Sequence, residues 1–339
     1  MKVSELLSQI PQETKELVQS YCAQYSGQVR EALRKEIRWP LIWHDAESSG
    51  GWLYKSEINI SVDEIGRPQD IDIPDIPDEY ELAAKLQYWL PKLHMLSESS
   101  QALMSMLNNP AMYEMLARLL DVSRVKNAFN ESNEFSNYLI ELASLDQFDL
   151  VEHILAVDKD ILGCFRYSPA KDPFLLHSPT SHHGVYKTQI LLYWGVIGLT
   201  SSAKNIDLKG LTVKVLAHEL AHAYTYLGFD RSGARWTARG FSGSQHKLKE
   251  GLAQYYTWRV LGRLKKAIPE GLEAYSQLLP LQPEAYRSQE PWIEFSDPES
   301  VANTLSLLRS EETINYERFS TILKKVTTRE ITMPLITQL

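Results

Sequence analysis

His218, Glu219 and His222 stand in the order His-Glu-x-x-His within the stretch Val215 to Tyr224. On a helix, residues four apart leave the same face about one turn apart, so both imidazoles can reach one ion at roughly 2.0–2.1 Å, the Zn–N distance. Glu219 stands about 100° around the helix from His218, beside the ion's open position instead of in it. From there it can take a proton from a metal-activated water, so the pattern predicts hydrolysis with Zn²⁺ as cofactor. Ala217 and Ala221 keep the wall around the three side chains low.

A catalytic zinc needs a third protein ligand and one open position. Glu250 is the leading candidate, in Lys249-Glu250-Gly251-Leu252-Ala253-Gln254-Tyr255-Tyr256. Leu248, Leu252, Tyr255, Val260 and Leu264 predict an amphipathic helix there, with Ser242 and Gln245 as a capping box at its start. Gly251 and Ala253 would let it approach the first helix closely. His246, four residues before Glu250 on the same face, is the rival ligand, or else a group that backs the ligands or donates to the oxyanion. Asp230, soon after the first helix ends, is a weaker rival. Gln254, one turn beyond Glu250, is expected to orient a ligand. Tyr255 and Tyr256 are candidate oxyanion donors, as are Tyr275, Tyr286 and Tyr316 further on.

HELAHA followed by KEGLAQYY resembles the gluzincin group of zinc metallopeptidases, in which a glutamate from a downstream helix completes a His-His-Glu site. The pair HELAHAYTYLGFD and EGLAQYY also looks like the DA1-type peptidase domain. The resemblance covers about residues 211–258. It implies a zincin-like peptidase domain, a peptide or protein substrate, and Glu250 as third ligand. With His246 as third ligand the pattern is instead similar to Spartan/SprT-like proteases. Two alternatives stay open: a zinc-containing sensor or binding module, and hydrolysis of a bond other than a peptide.

The elements that must position these residues are legible in outline. Leu211, Val215, Leu216, Leu220, Ala223 and Leu227 repeat with helical period, Asp207 is the expected N-cap, and Gly228 is expected just past the end. Residues 161–167 and 185–194 read as strands leading into this helix, and the region 52–62 as a strand or hairpin. One edge of such a sheet could take an extended substrate by strand addition. Between the first two lie His177, His182 and His183, read as a solvated loop. The connector from Gly228 to Gly243 holds Arg235 and Arg239, candidates to pair with a substrate carboxylate.

Residues 1–38 read as helix broken at Pro11, with Leu17, Tyr21, Val29, Leu33 and Ile37 inward. Residues 64–79 alternate Pro and Asp with Ile and read as an extended linker. Residues 79–157 are mostly helical, with Leu and Met stripes expected to form a core between helices. The expected whole is a predominantly helical α+β protein. A mostly helical region spans 1–157, and 158–339 forms a zincin-like domain whose small sheet packs on the His-Glu-x-x-His helix.

A net charge of −8 disfavours nucleic acid as partner. Cys22 and Cys164 make no disulfide framework and read as free thiols. The N-terminal stretch lacks an apolar core segment, and no run of about 18 apolar residues could span a membrane, so a cytoplasmic protein is expected. The sequence is silent on oligomeric state.

Overall fold

The computed structural model describes residues 7, 10–45, 52–62, 65, 86–118, 120–143, 162–167, 183–230, 232–311 and 313–330. The fold is predominantly helical α+β with one four-stranded mixed sheet. The chain divides into two compact units, Met1–Asp72 with Val151–Leu339, and Ile73–Leu150.

In the larger unit, α1 (Gln12–Ile37) begins after Pro11 and ends at Arg38, whose left-handed backbone (φ 59°) stops the helix. Its buried stripe runs through Val18, Cys22, Val29, Leu33 and Ile37. Leu17, expected inward, is 44% exposed, because the stripe passes through its neighbour Val18. Strands β1 (Ile42–Asp45) and β2 (Trp52–Ser61) follow and pair antiparallel.

The smaller unit holds α2 (Leu90–Leu107), α3 (Pro110–Ala117) and α4 (Val122–Ala143). Asn109 caps α3, its Oδ1 accepting from the backbone N–H of Ala111 at 3.0 Å. Only part of the Leu and Met pattern is internal here. Leu107 is buried, whereas Met106 and Met115 are exposed. Leu103, Met106, Met112 and Leu116 line an apolar hollow of about 210 Å³.

Back in the larger unit, β3 (Gly163–Arg166) and β4 (His183–Leu192) complete a sheet of order β1-β2-β4-β3. β4 runs parallel to β2, with Ile58 opposite Thr188, and antiparallel to β3, with Ile190 opposite Phe165. The second strand is thus shifted from the expected 185–194. His183 opens it instead of lying in a loop, and Trp194 already belongs to α5 (Trp194–Lys204). The expected division at 157/158 does not follow the contacts, because β2 is an inner strand of the sheet beside the downstream helices. Alternating residues mark a strand but do not name its partner.

α6 (Leu208–Leu227) is the axis of this unit, with α1, β3, β4, α8 and α9 packed on it. α7 (Ala238–Gly243), α8 (His246–Leu264), α9 (Pro269–Leu278), α10 (Glu290–Phe295), α11 (Pro298–Leu308) and α12 (Tyr316–Thr327) follow. Buried Glu36 at the end of α1 accepts from Arg259 (3.1 Å) and Arg263 (2.7 Å), tying α1 to α8. Both cysteines are buried and neither is in a disulfide. No described helix is long and apolar enough to cross a membrane. Residues 66–79 of the expected linker, the stretch 144–157, His177 and His182 lie outside the described residues.

Candidate metal centre

α6 forms where the sequence predicts it. Asp207 Oδ1 accepts from the backbone N–H of Gly210 at 2.7 Å, and Gly228 follows the last turn. Every residue from Gly210 to Leu227 is buried, so the helix carries His218, Glu219 and His222 into the interior. A helix apolar nearly all around belongs inside a fold, and polar side chains on it then need partners.

The partners come from α8. Glu250, one turn into that helix and also buried, turns Oε2 toward both imidazoles, 3.1 Å from His218 Nε2 and 3.4 Å from His222 Nε2. Two ligand atoms at about 2.05 Å from a tetrahedral ion lie about 3.3 Å apart, the spacing at which Glu250 meets each imidazole, and the three ligand atoms all lie within 4.8 Å of one another. His218 Nδ1 is buried with no hydrogen-bond partner in the fold, leaving Nε2 as the nitrogen that engages the cluster. His218, His222 and Glu250 form a buried group that can hold a metal ion.

The electrostatics fit that role. Burial pushes the His218 pKa down to about 3, against the upward pull of its hydrogen bond to Glu250. The ring is therefore neutral near pH 7, as a nitrogen ligand must be. Burial pushes the Glu250 carboxyl up, but the facing imidazoles of His222 and His218 outweigh it and hold the group well below the usual carboxylate range.

Glu219 lies against the sheet. A Cβ at Gly163, the first residue of β3, would stand 3.0 Å from both Cγ and Oε1 of Glu219. The missing side chain there makes room for the carboxylate. Glu219, His222, Glu250, His246 and Lys249 share a cavity of about 180 Å³ with the rings of Phe165, Tyr167 and Phe241. Phe165 stacks parallel to His222 (6.4 Å, 10°), and Tyr286 stacks on His218 (5.7 Å, 27°). Sequence reasoning passed over Gly163, Phe165 and Tyr167. Their alternation along one strand was the available signal, since positions 163, 165 and 167 share a face. Phe241, on the short connector helix, carried none.

The other candidates separate clearly. His246 Nδ1 lies 3.5 Å from Glu250 Oε1, behind the ligand and outside the three-residue cluster. Gln254 does not reach a ligand; its Nε2 donates to Gln282 Oε1 at 3.0 Å. Tyr255 and Tyr256 point away and donate to the carbonyls of Ser296 and Pro298, because their side of α8 faces the segment 296–298. Tyr275 accepts from Gln289, and Tyr316 donates to the Ser288 carbonyl, so Tyr286 alone of those three downstream tyrosines stands at the centre.

Asp230 is paired with Arg309 at 2.6 Å, which accounts for its charge without a metal. The Arg235 guanidinium stacks on Tyr186, 4.1 Å from the ring centroid, and Arg239 is exposed on α7; neither lines the cavity. The expected capping box is absent. Ser242 belongs to α7, and the Gln245 side chain accepts from the backbone N–H of Tyr316 instead of closing on its own helix. Gly251 faces Ser288 and Trp292, so the close approach it permits is to the 288–292 segment and not to α6. No protein-family model matches the chain, and no curated protein or solved structure matches it either.

Proposed function

We propose that the protein is a zinc-dependent peptidase in which His218, His222 and Glu250 hold the metal and Glu219 is the general base. The observation that carries this reading is the convergence of three buried donor atoms within 4.8 Å of one another, with a second carboxylate, Glu219, in the cavity that His222 and Glu250 line. Two nitrogens and one carboxylate oxygen are a donor set that suits zinc in a catalytic centre, where three protein ligands leave a position open. Zn²⁺ held there supplies Lewis acidity toward water and toward a carbonyl oxygen. Glu219 accepts a proton from water at its carboxylate and later delivers it to the leaving amine. His246, at the second oxygen of Glu250, keeps that carboxylate turned toward the imidazoles.

The surroundings favour a peptide. Among the described residues β3 is an edge strand, the kind of element on which an extended chain can add as a further strand. Phe165, on that strand, joins Tyr167 and Phe241 in a wall suited to an apolar side chain.

Elemental analysis of wild type, Glu219→Gln, His222→Ala and Glu250→Ala, each assayed on a mixture of denatured proteins, tests the reading. Near-stoichiometric zinc is expected in wild type and Glu219→Gln, less in Glu250→Ala and His222→Ala, with cleavage by wild type alone. Full cleavage by Glu219→Gln would sink the mechanism. Zinc without cleavage in wild type would favour a binding module.

A further inference from the structure

We infer that Lys214 is a resident counter-cation of the metal centre, doing for Glu219 and Glu250 in the metal-free protein what the ion does when bound. This rests on the metal reading above. Lys214 lies one turn before His218 on the same face of α6 and is 2% exposed. A lysine is almost never fully buried unless it is paired. Here the direct partnership is thin. Nζ donates to Oε1 of Gln282 at 3.5 Å, an oxygen that Gln254 already engages at 3.0 Å. Among the described residues no carboxylate bridges it within 4.0 Å.

What compensates the ammonium is the field of the site. Burial pushes its pKa down to about 8, while the carboxylates of Glu219 and Glu250 pull it back up. Lys214 in turn contributes to lowering His218. With both carboxylates ionised, Lys214 places one positive charge beside two negative ones. A divalent ion adds two more positive charges in surroundings where charges are poorly screened. The two cations therefore compete for the same pair of carboxylates. Lys214 keeps the donors gathered before the metal arrives and loosens the grip on the metal afterwards.

The rival role is mechanical. Through Gln282, Lys214 also ties α6 to Gln254, one turn beyond Glu250 on α8, and if bracing that helix were its purpose its loss would weaken metal binding. The sign of the effect separates the two. Metal-stripped wild type, Lys214→Met and Lys214→Arg are titrated with Zn²⁺ in competition with a chelating dye at fixed pH and salt, with far-ultraviolet melting to verify the fold. Lys214→Met is expected to bind on the order of tenfold tighter than wild type. Lys214→Arg, which keeps the charge, is expected to bind no tighter. If Lys214→Met does not fold, Lys214→Gln, whose amide can still meet Gln282, is read in its place. Unchanged or weaker binding by the neutral variant overturns the counter-cation role. A wild type that takes up no zinc instead removes the metal reading beneath it.

Discussion

Glu219 is placed by an atom that is not there. Gly163 has no left-handed backbone to accommodate; among the described glycines only Gly233 has positive φ. Its use is space, since an added Cβ would crowd Glu219 Cγ, Glu219 Oε1 and Val215 Cγ1, all at 3.0 Å. Gly163→Ala should therefore move the proposed base without touching a candidate metal ligand. Displacements of about 1 Å at a reacting group can lower rates about 100-fold, so the peptidase reading predicts a loss of tenfold to about 100-fold in kcat with metal content unchanged. An unaltered kcat would show that the carboxylate does not depend on that space. Residues of this kind were only half legible. The His-Glu-x-x-His spacing names its own chemistry, and Glu250 could be ranked above His246 from its place on the next helix. The donors that Tyr255 and Tyr256 seemed to offer could not be judged, because which side of α8 faces the site is set by residues far along the chain.

Elements were legible where a local rule decides them. α6 begins at an Asp cap and ends before a glycine, and its apolar repeat leaves no other structure open. Local rules failed where a distant segment took the partner. The Gln245 side chain spends its acceptor on the Tyr316 backbone, so the second ligand helix starts without a side-chain cap of its own. The cap on α6 gives a direct test of how far the centre depends on its helix. Asp207→Ala removes one charged acceptor from the Gly210 amide and should cost about 1 kcal/mol of stability, with the midpoint of thermal unfolding falling by a few degrees. About three to four turns separate that end from His218 and His222, so metal stoichiometry should stay at the wild-type value. A loss of metal from this variant would mean that the ligand geometry is transmitted along the whole helix.

At the scale of the molecule, the sheet decides what the metal unit is. β2 lies between β1 and β4, and its parallel pairing with β4 joins segments separated by the whole stretch from Ser61 to His183. A crossover of that kind leaves no mark in the alternation of either strand. It makes the first 61 residues part of the unit that carries the ligands. α1 packs on α6 and buries Val18, Val29, Leu33 and Ile37. At about 1.5–3 kcal/mol each, these four side chains are worth roughly 6–12 kcal/mol, comparable to the whole net stability of a typical domain. Residues 158–339 expressed alone contain all three candidate ligands and the proposed base, yet they would leave α6 uncovered on that side and expose the β4 edge along its former pairing with β2. The fragment is expected to show no cooperative unfolding and no stoichiometric zinc, whereas the full chain is expected to unfold cooperatively and, on the proposed reading, to bind zinc. The two preparations are compared by calorimetry and elemental analysis at equal concentration. A fragment that melted cooperatively with its metal in place would mean that α8, α9, β3 and β4 suffice to hold α6, and that the N-terminal helix and strands serve something other than the centre's integrity.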